Sequence, residues 1–217
     1  MMTTLIRKAA LTAAGAVCAG GMVAGPVGAI AAPHSANPLA AVAERGHGNG
    51  ERQLNVRYEA QPNFYYCGPA AVRNALTTMN KDVSQDDLAR EMGTTERGTD
   101  SAHLITDALN KKAGKDVYRT VEIPGRAADD AQTDRLRTDI IRAVDDGRGV
   151  VANIIGTATD TDGVSHSFEG GHYISVTGYR DSGDQVRIAD SANPAQAEYW
   201  ISTDALADWI ASRGYSA

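Results

Sequence analysis

At Gly149 the hydrophobic period of this chain changes, and that change limits what the chain can fold into. Before it, apolar residues recur every three to four positions in stretches bounded by helix signals. Cys67 to Met79 opens on Gly68-Pro69, with the proline suited to a first helical turn. Ser84 to Met92 has Ser84 as N-cap, Asp87 in the box position and Gly93 as its stop. Ser101 to Ala113 carries Leu104, Ile105, Ala108 and Leu109 at helical spacing and ends at Gly114. After an extended segment, Val117 to Ile123, a fourth helix is expected over Thr133 to Asp146, stopped by Gly147. Beyond Gly149, Val150 to Ile155 is a continuous apolar run of strand length. His172 to Tyr179 and Gln185 to Ala189 flank the turn residues Asp181 to Asp184 and predict a hairpin, and Glu198 to Ile201 predicts another short strand. A last helix is expected over Thr203 to Arg213, ended by Gly214. Helices followed by antiparallel strands make an α+β domain.

The N-terminus is read as a targeting segment. Arg7 and Lys8 precede an apolar, small-residue stretch from Ala9 to about Ala24, and Ala29-Ile30-Ala31 supplies a cleavage site. Residues 1–31 are therefore expected to be a secretory signal peptide, and the mature protein to be secreted. The stretch is too short and too rich in Gly and Ala to span ~30 Å of hydrocarbon. Cys18 lacks the flanking residues of a lipid-anchor site, since Gly15-Ala16-Val17 precedes it. Residues 32–54, rich in Ala, Gly, Pro and Asn without a hydrophobic period, are expected to form a flexible arm, with a pro-segment as the sharper alternative. Residues 55–217 then form one folded domain, a length that buries a sizeable core. The chain carries 21 basic and 27 acidic residues, a net charge of −6. Loss of Arg7 and Lys8 makes it more negative still, which disfavours nucleic acid and anionic membrane as partners. A monomer without cofactor or metal is expected. Asp160-Thr161-Asp162-Gly163 looks like the start of a calcium loop but has no Glu at the twelfth position.

Of the two cysteines, Cys18 and Cys67, only Cys67 would survive signal removal. An unpaired thiol in an oxidising compartment is a liability unless it is used. Its place at a helix start favours the thiolate, which is the nucleophile. Such a nucleophile needs a base, an orienter for the base and donors for the developing oxyanion. His172, after Gly170-Gly171, opens the first hairpin strand and Asp190 closes the second, so both lie at the open end of one hairpin. A carboxylate there holds the imidazole tautomer. Asn193 is the alternative orienter. Gln61, six residues before Cys67, offers a side-chain amide that, with the Cys67 backbone N–H, forms an oxyanion hole. Elsewhere, His103 beside Asp100 and Asp107 is read as a solvated helix face, and Thr157 to Gly170 as a mobile lip over the site. Tyr65 and Tyr66 either line the cleft or pack in the core.

Gln61 with Cys67-Gly68-Pro69, the Gly93-Thr94-Thr95 and Gly98-Thr99 stretch, Gly171-His172-Tyr173 and Ile188-Ala189-Asp190 resemble the C39-like branch of the papain-type cysteine peptidases. The resemblance covers roughly residues 56 to 210. It implies a papain-like fold, with a helical N-terminal half packed on an antiparallel sheet from the C-terminal half. It also implies Cys67 as nucleophile, His172 as general base and then acid, Asp190 as orienter and Gln61 as oxyanion donor. The expected partner is a peptide or protein substrate. The best-known similar proteins are fused to export transporters and cut leader peptides after a double glycine, a specificity not expected in an exported chain without a transporter. Acyl transfer by the same triad, and peptide binding without turnover, are the alternatives.

Overall fold

Asn74, in the middle of a helix, brackets a neighbouring extended segment: its Oδ1 accepts from the Glu59 N–H and its Nδ2 donates to the Glu59 carbonyl. That helix, α1 (Cys67–Thr77), is buried along nearly its whole length and is the organising element of the fold. The structure is a computed structural model and describes residues 50–217. The expected signal peptide and most of the expected arm lie outside the described residues.

The elements follow in chain order as β1 (Arg52–Gln53), α1, α2 (Gln85–Met92), α3 (Ala102–Ala113), β2 (Thr120–Glu122), α4 (Asp130–Asp145), β3 (Val150–Thr159), β4 (Ser165–Arg180), β5 (Gln185–Ala189), β6 (Glu198–Ser202), α5 (Thr203–Ile210) and β7 (Gly214–Ser216). All strands pair antiparallel in one sheet of order β2-β7-β3-β4-β5-β6, with β1 on β4. β3 leaves β4 at the Val150–Val176 pair, and Gln53 takes up the same side of β4 at Gly178. Arg52 to Leu54, expected in the arm, thus belong to the folded body, with Leu54 in the core.

Side chains alternate across the central strands. Val151 and Tyr173 face α1, α2 and α3, whereas Val150, Ala152, Ile154, Ile174 and Val176 face α4 and α5. α1, α2 and α3 therefore cover one face of the sheet and α4 and α5 the other. Gly149 allows the entry of β3 to run against α1: a Cβ there would lie 3.0 Å from the Ala75 Cα.

Helix starts follow local chemistry. Ser84 accepts from the Asp87 N–H and Ser101 from the His103 N–H. α4 begins at Asp130, three residues before the expected Thr133, because Asp129 and Gln132 close a capping box. α5 stops at Ile210, short of the expected Arg213. Gly214, expected as a helix stop, instead opens β7, where a Cβ would meet the Val121 carbonyl at 2.5 Å.

The largest departure from expectation is the segment Thr157 to Gly170. It is not a free lip: Thr157, Ala158 and Thr159 pair with Ser167, His166 and Ser165 in a β3–β4 hairpin. Asp160 closes the turn, its Oδ1 accepting from the Asp162 and Val164 N–H groups. Its Oδ2 meets His166 Nε2 at 2.9 Å, and that turn chemistry accounts for the residues that look like a calcium loop.

Candidate active site

Cys67 is the first residue of α1, with no side-chain cap on the helix and no acidic residue in its first turn. The positive end of the helix is thus left to the sulfur. His172 is its neighbouring ionisable side chain, and the Gly68 and Tyr173 backbone N–H groups lie where they favour its charged form. Two braces fix the approach. Ser175, three residues after His172, donates to the Ala71 carbonyl at 2.8 Å, locking β4 to the first turns of α1. Gly68 lies close under Thr99, where a Cβ would sit 2.6 Å from Oγ1.

His172 Nε2 and Asp190 Oδ1 are 2.8 Å apart, and both side chains are 4% exposed. Since Nε2 serves Asp190, Nδ1 is the ring nitrogen left for Cys67. Asp190 accepts further from the Ala192 N–H at 2.9 Å and, through Oδ2, from the Tyr199 hydroxyl at 3.1 Å. Both oxygens of this buried carboxylate are thus hydrogen-bonded, as a buried charge requires.

These contacts set the charges. Burial alone raises the Cys67 thiol, but the hydrogen bond and charge of His172, with the Tyr173 and Gly68 N–H groups, outweigh it and the pKa is lowered. Burial alone lowers His172, yet the bonds to Asp190 and Cys67 push it up to about 9. Asp190, raised by burial, is brought below its ordinary value mainly by His172. A thiolate–imidazolium pair backed by a carboxylate is the state these directions describe.

A β-bulge brings an aromatic residue over His172. The register passes from Ile154–His172 to Gly156–Phe168, so Glu169, Gly170 and Gly171 stand opposite Ile155 alone. Gly171 has φ +89°, which an L side chain rarely adopts. Glu169 to Gly171 are taken up in the bulge, and Phe168 lies flat on His172, ring centroids 4.1 Å apart. Next to it His166 stacks on Tyr199 at 3.9 Å, and Trp209 flanks both Phe168 and His166.

The structure thus brings Cys67, His172 and Asp190 together. Asn193, the alternative orienter, is elsewhere: its Oδ1 accepts from Ala195 N and caps a short 3-10 turn. Gln61 is held beside Asp190 through Ser191, and its Nε2 donates to the Asn63 carbonyl at 2.8 Å. Tyr65 and Tyr66 form an edge-to-face series with the exposed Phe64, and the Tyr66 hydroxyl reaches Asp86 on α2. His103 is exposed, as expected for a solvated helix face, and stands at the rim of the cleft, 4.0 Å from Glu122.

The cleft beside Cys67 has a volume of about 670 Å³. Thr99 and Asp100, Gly170 to Tyr173, and Ser212 to Gly214 are among the residues that line it. Phe168, Ser191 and Tyr199 carry no signal in the sequence that links them to the site, because the bulge and the strand end that place them are tertiary.

The sequence model of the Peptidase_C39 like family matches residues 53–217. Among solved structures, the peptidase domain of Streptococcus ComA, a bi-functional ABC transporter involved in a quorum-sensing pathway, is similar with a TM-score of 0.50 and 20% identity, over 75% of this chain and 96% of that domain. A putative C39-like peptidase from Bacillus anthracis is similar with a TM-score of 0.52 and 15% identity, over 76% of this chain and 96% of that one. No curated protein matches. The shared fold is papain-like.

Proposed function

The chain belongs to the Peptidase_C39 like family, and we propose that it is an exported cysteine peptidase that hydrolyses peptide amide bonds. The observation that carries the reading is the buried line Cys67, His172, Asp190, with the thiol on a helix start and the imidazole 2.8 Å from the carboxylate.

The Cys67 thiolate attacks the carbonyl carbon, and the carbonyl oxygen takes the negative charge of the tetrahedral intermediate. The Cys67 N–H and the Gln61 amide are its donors. His172, charged at the start, gives its Nδ1 proton to the leaving amine as the C–N bond breaks, leaving a thioester. Neutral His172 then takes a proton from water, whose oxygen attacks the thioester. Collapse releases the acid and restores thiolate and imidazolium. Asp190 stays ionised throughout and holds Nε2–H.

Export rests on Arg7, Lys8 and the small apolar stretch after them. Intact mass of protein recovered from the culture medium tests it: a start at Ala32 is expected, and a retained residue 1 contradicts it.

The activity is tested by incubating wild type and Cys67→Ala with an unfolded carboxymethylated protein and reading fragments by mass spectrometry. Fragments from wild type alone are expected. Equal cleavage by both proteins, or none by a wild type whose thiol is alkylatable, contradicts peptide hydrolysis.

A further inference from the structure

Ser191 is 1% exposed and follows Asp190 directly at the end of β5. Its hydroxyl donates to Gln61 Oε1 at 3.0 Å, and its carbonyl accepts from the Gln61 N–H at 3.0 Å. The Gln61 Nε2 donates to the Asn63 carbonyl at 2.8 Å. Turning the amide by 180° would bring Oε1 against that carbonyl oxygen, acceptor against acceptor, so the amide has one stable orientation. One N–H of Nε2 remains unused by these bonds.

The geometry points to Ser191 as a positioning residue that fixes the Gln61 amide as an oxyanion donor, an assignment that rests on the hydrolase reading above. The same strand end then serves both halves of the chemistry. Asp190 orients the imidazole, and the next residue orients the amide. The Tyr58 hydroxyl, donating to the Asp190 carbonyl at 3.0 Å, holds the Asp190–Ser191 backbone from the side of the Gln61 segment. Without the Ser191 hydroxyl, Gln61 Oε1 loses the donor that orients it, and the amide is free to turn away from the developing charge.

Two reagents separate this role from a general effect on the site. The acylation burst with p-nitrophenyl acetate passes through a tetrahedral oxyanion. Alkylation by iodoacetamide needs the thiolate alone. We expect Ser191→Ala to slow the burst about tenfold, to leave the rate and pH profile of alkylation unchanged, and to have no further effect in a Gln61→Ala background. Ser191→Thr, which keeps a hydroxyl, should recover most of the burst. An equal slowing by Ser191→Ala with and without Gln61, or a shifted alkylation profile, overturns the assignment. A wild-type burst untouched by Ser191→Ala overturns it alone, whereas absence of any burst from wild type overturns the hydrolase reading with it.

Discussion

Phe168 lies face to face on His172, with ring centroids 4.1 Å apart and planes 15° from parallel. Four residues of regular strand span roughly 13 Å, and the bulge at Glu169 to Gly171 shortens that span by setting Phe168 and His172 opposite Gly156 and Ile154, two positions apart on β3. The stack covers one face of the proposed base and keeps water from the His172–Asp190 bond, which is stronger in a dry setting.

Phe168→Ala should therefore expose the imidazole. Aromatic pairing of this kind contributes about 1 kcal/mol beyond burial, so a several-fold to tenfold fall in acylation rate is expected, with a stability loss of about 2 kcal/mol. Phe168→Tyr, which keeps the ring, should retain most of both. Stopped-flow acylation and urea denaturation provide the two readings.

Tyr199→Phe removes the donor to Asp190 Oδ2 and leaves a buried charged oxygen short of a partner, a change of about 1.5–3 kcal/mol in stability. Since that hydroxyl helps hold Asp190 below its ordinary pKa, its loss raises the carboxyl pKa. The acid limb of the pH–stability profile, where Asp190 takes up its proton, should then move to higher pH. A profile superimposable on wild type would show that the hydroxyl does not act on Asp190.

The pH dependence of the wild type follows from the same directions. Below the lowered pKa of Cys67 the thiol is protonated, and above about 9 His172 loses the proton it must give the leaving amine. Amide hydrolysis should hold a plateau between those limits and fall as pH passes about 9. Stability has its own signs. His172, raised on folding, stabilises fully below its unfolded value near 6.5, and this is lost as pH rises towards about 9. Asp190, lowered on folding, stabilises above the ordinary carboxyl value, and this is lost as pH falls through its lowered value. Urea midpoints across pH, compared with His172→Ala, measure the first of these.

Gly68→Ala tests the packing beside Cys67. The new Cβ would stand 2.6 Å from Thr99 Oγ1 and 3.3 Å from Ile105 Cδ1, so Thr99, which lines the cleft, must move. A loss of about 1–3 kcal/mol is expected, and adding Thr99→Ala should recover part of it. Full stability in the single variant would contradict this packing.

What was legible in the sequence follows the range of the forces involved. Cys67 at a helix start and His172 and Asp190 at the open end of one hairpin are local patterns, and the structure brings all three together. Asp160, Asp162 and Gly163 look alike in a mobile loop and in a hairpin turn closed by an aspartate, so the expectation of a lip over Thr157 to Gly170 gives way to a hairpin. Only the pairing of Ala158 with His166 tells the two apart. Gly214 reads as a helix stop, yet its space is taken by the Val121 backbone, 93 positions away in the sequence. Ser191 and Tyr199 acquire their partners from chain segments that meet only in the fold.

The most direct test of the proposed nucleophile is the pH dependence of Cys67 alkylation by iodoacetamide, followed by intact mass, in wild type and His172→Ala. A wild-type inflection well below the free thiol value of about 8.5 is expected, rising towards that value in the variant because only the Gly68 and Tyr173 N–H groups then oppose burial. An inflection at or above about 8.5 in wild type, unmoved by His172→Ala, would contradict a thiolate–imidazolium pair at this site.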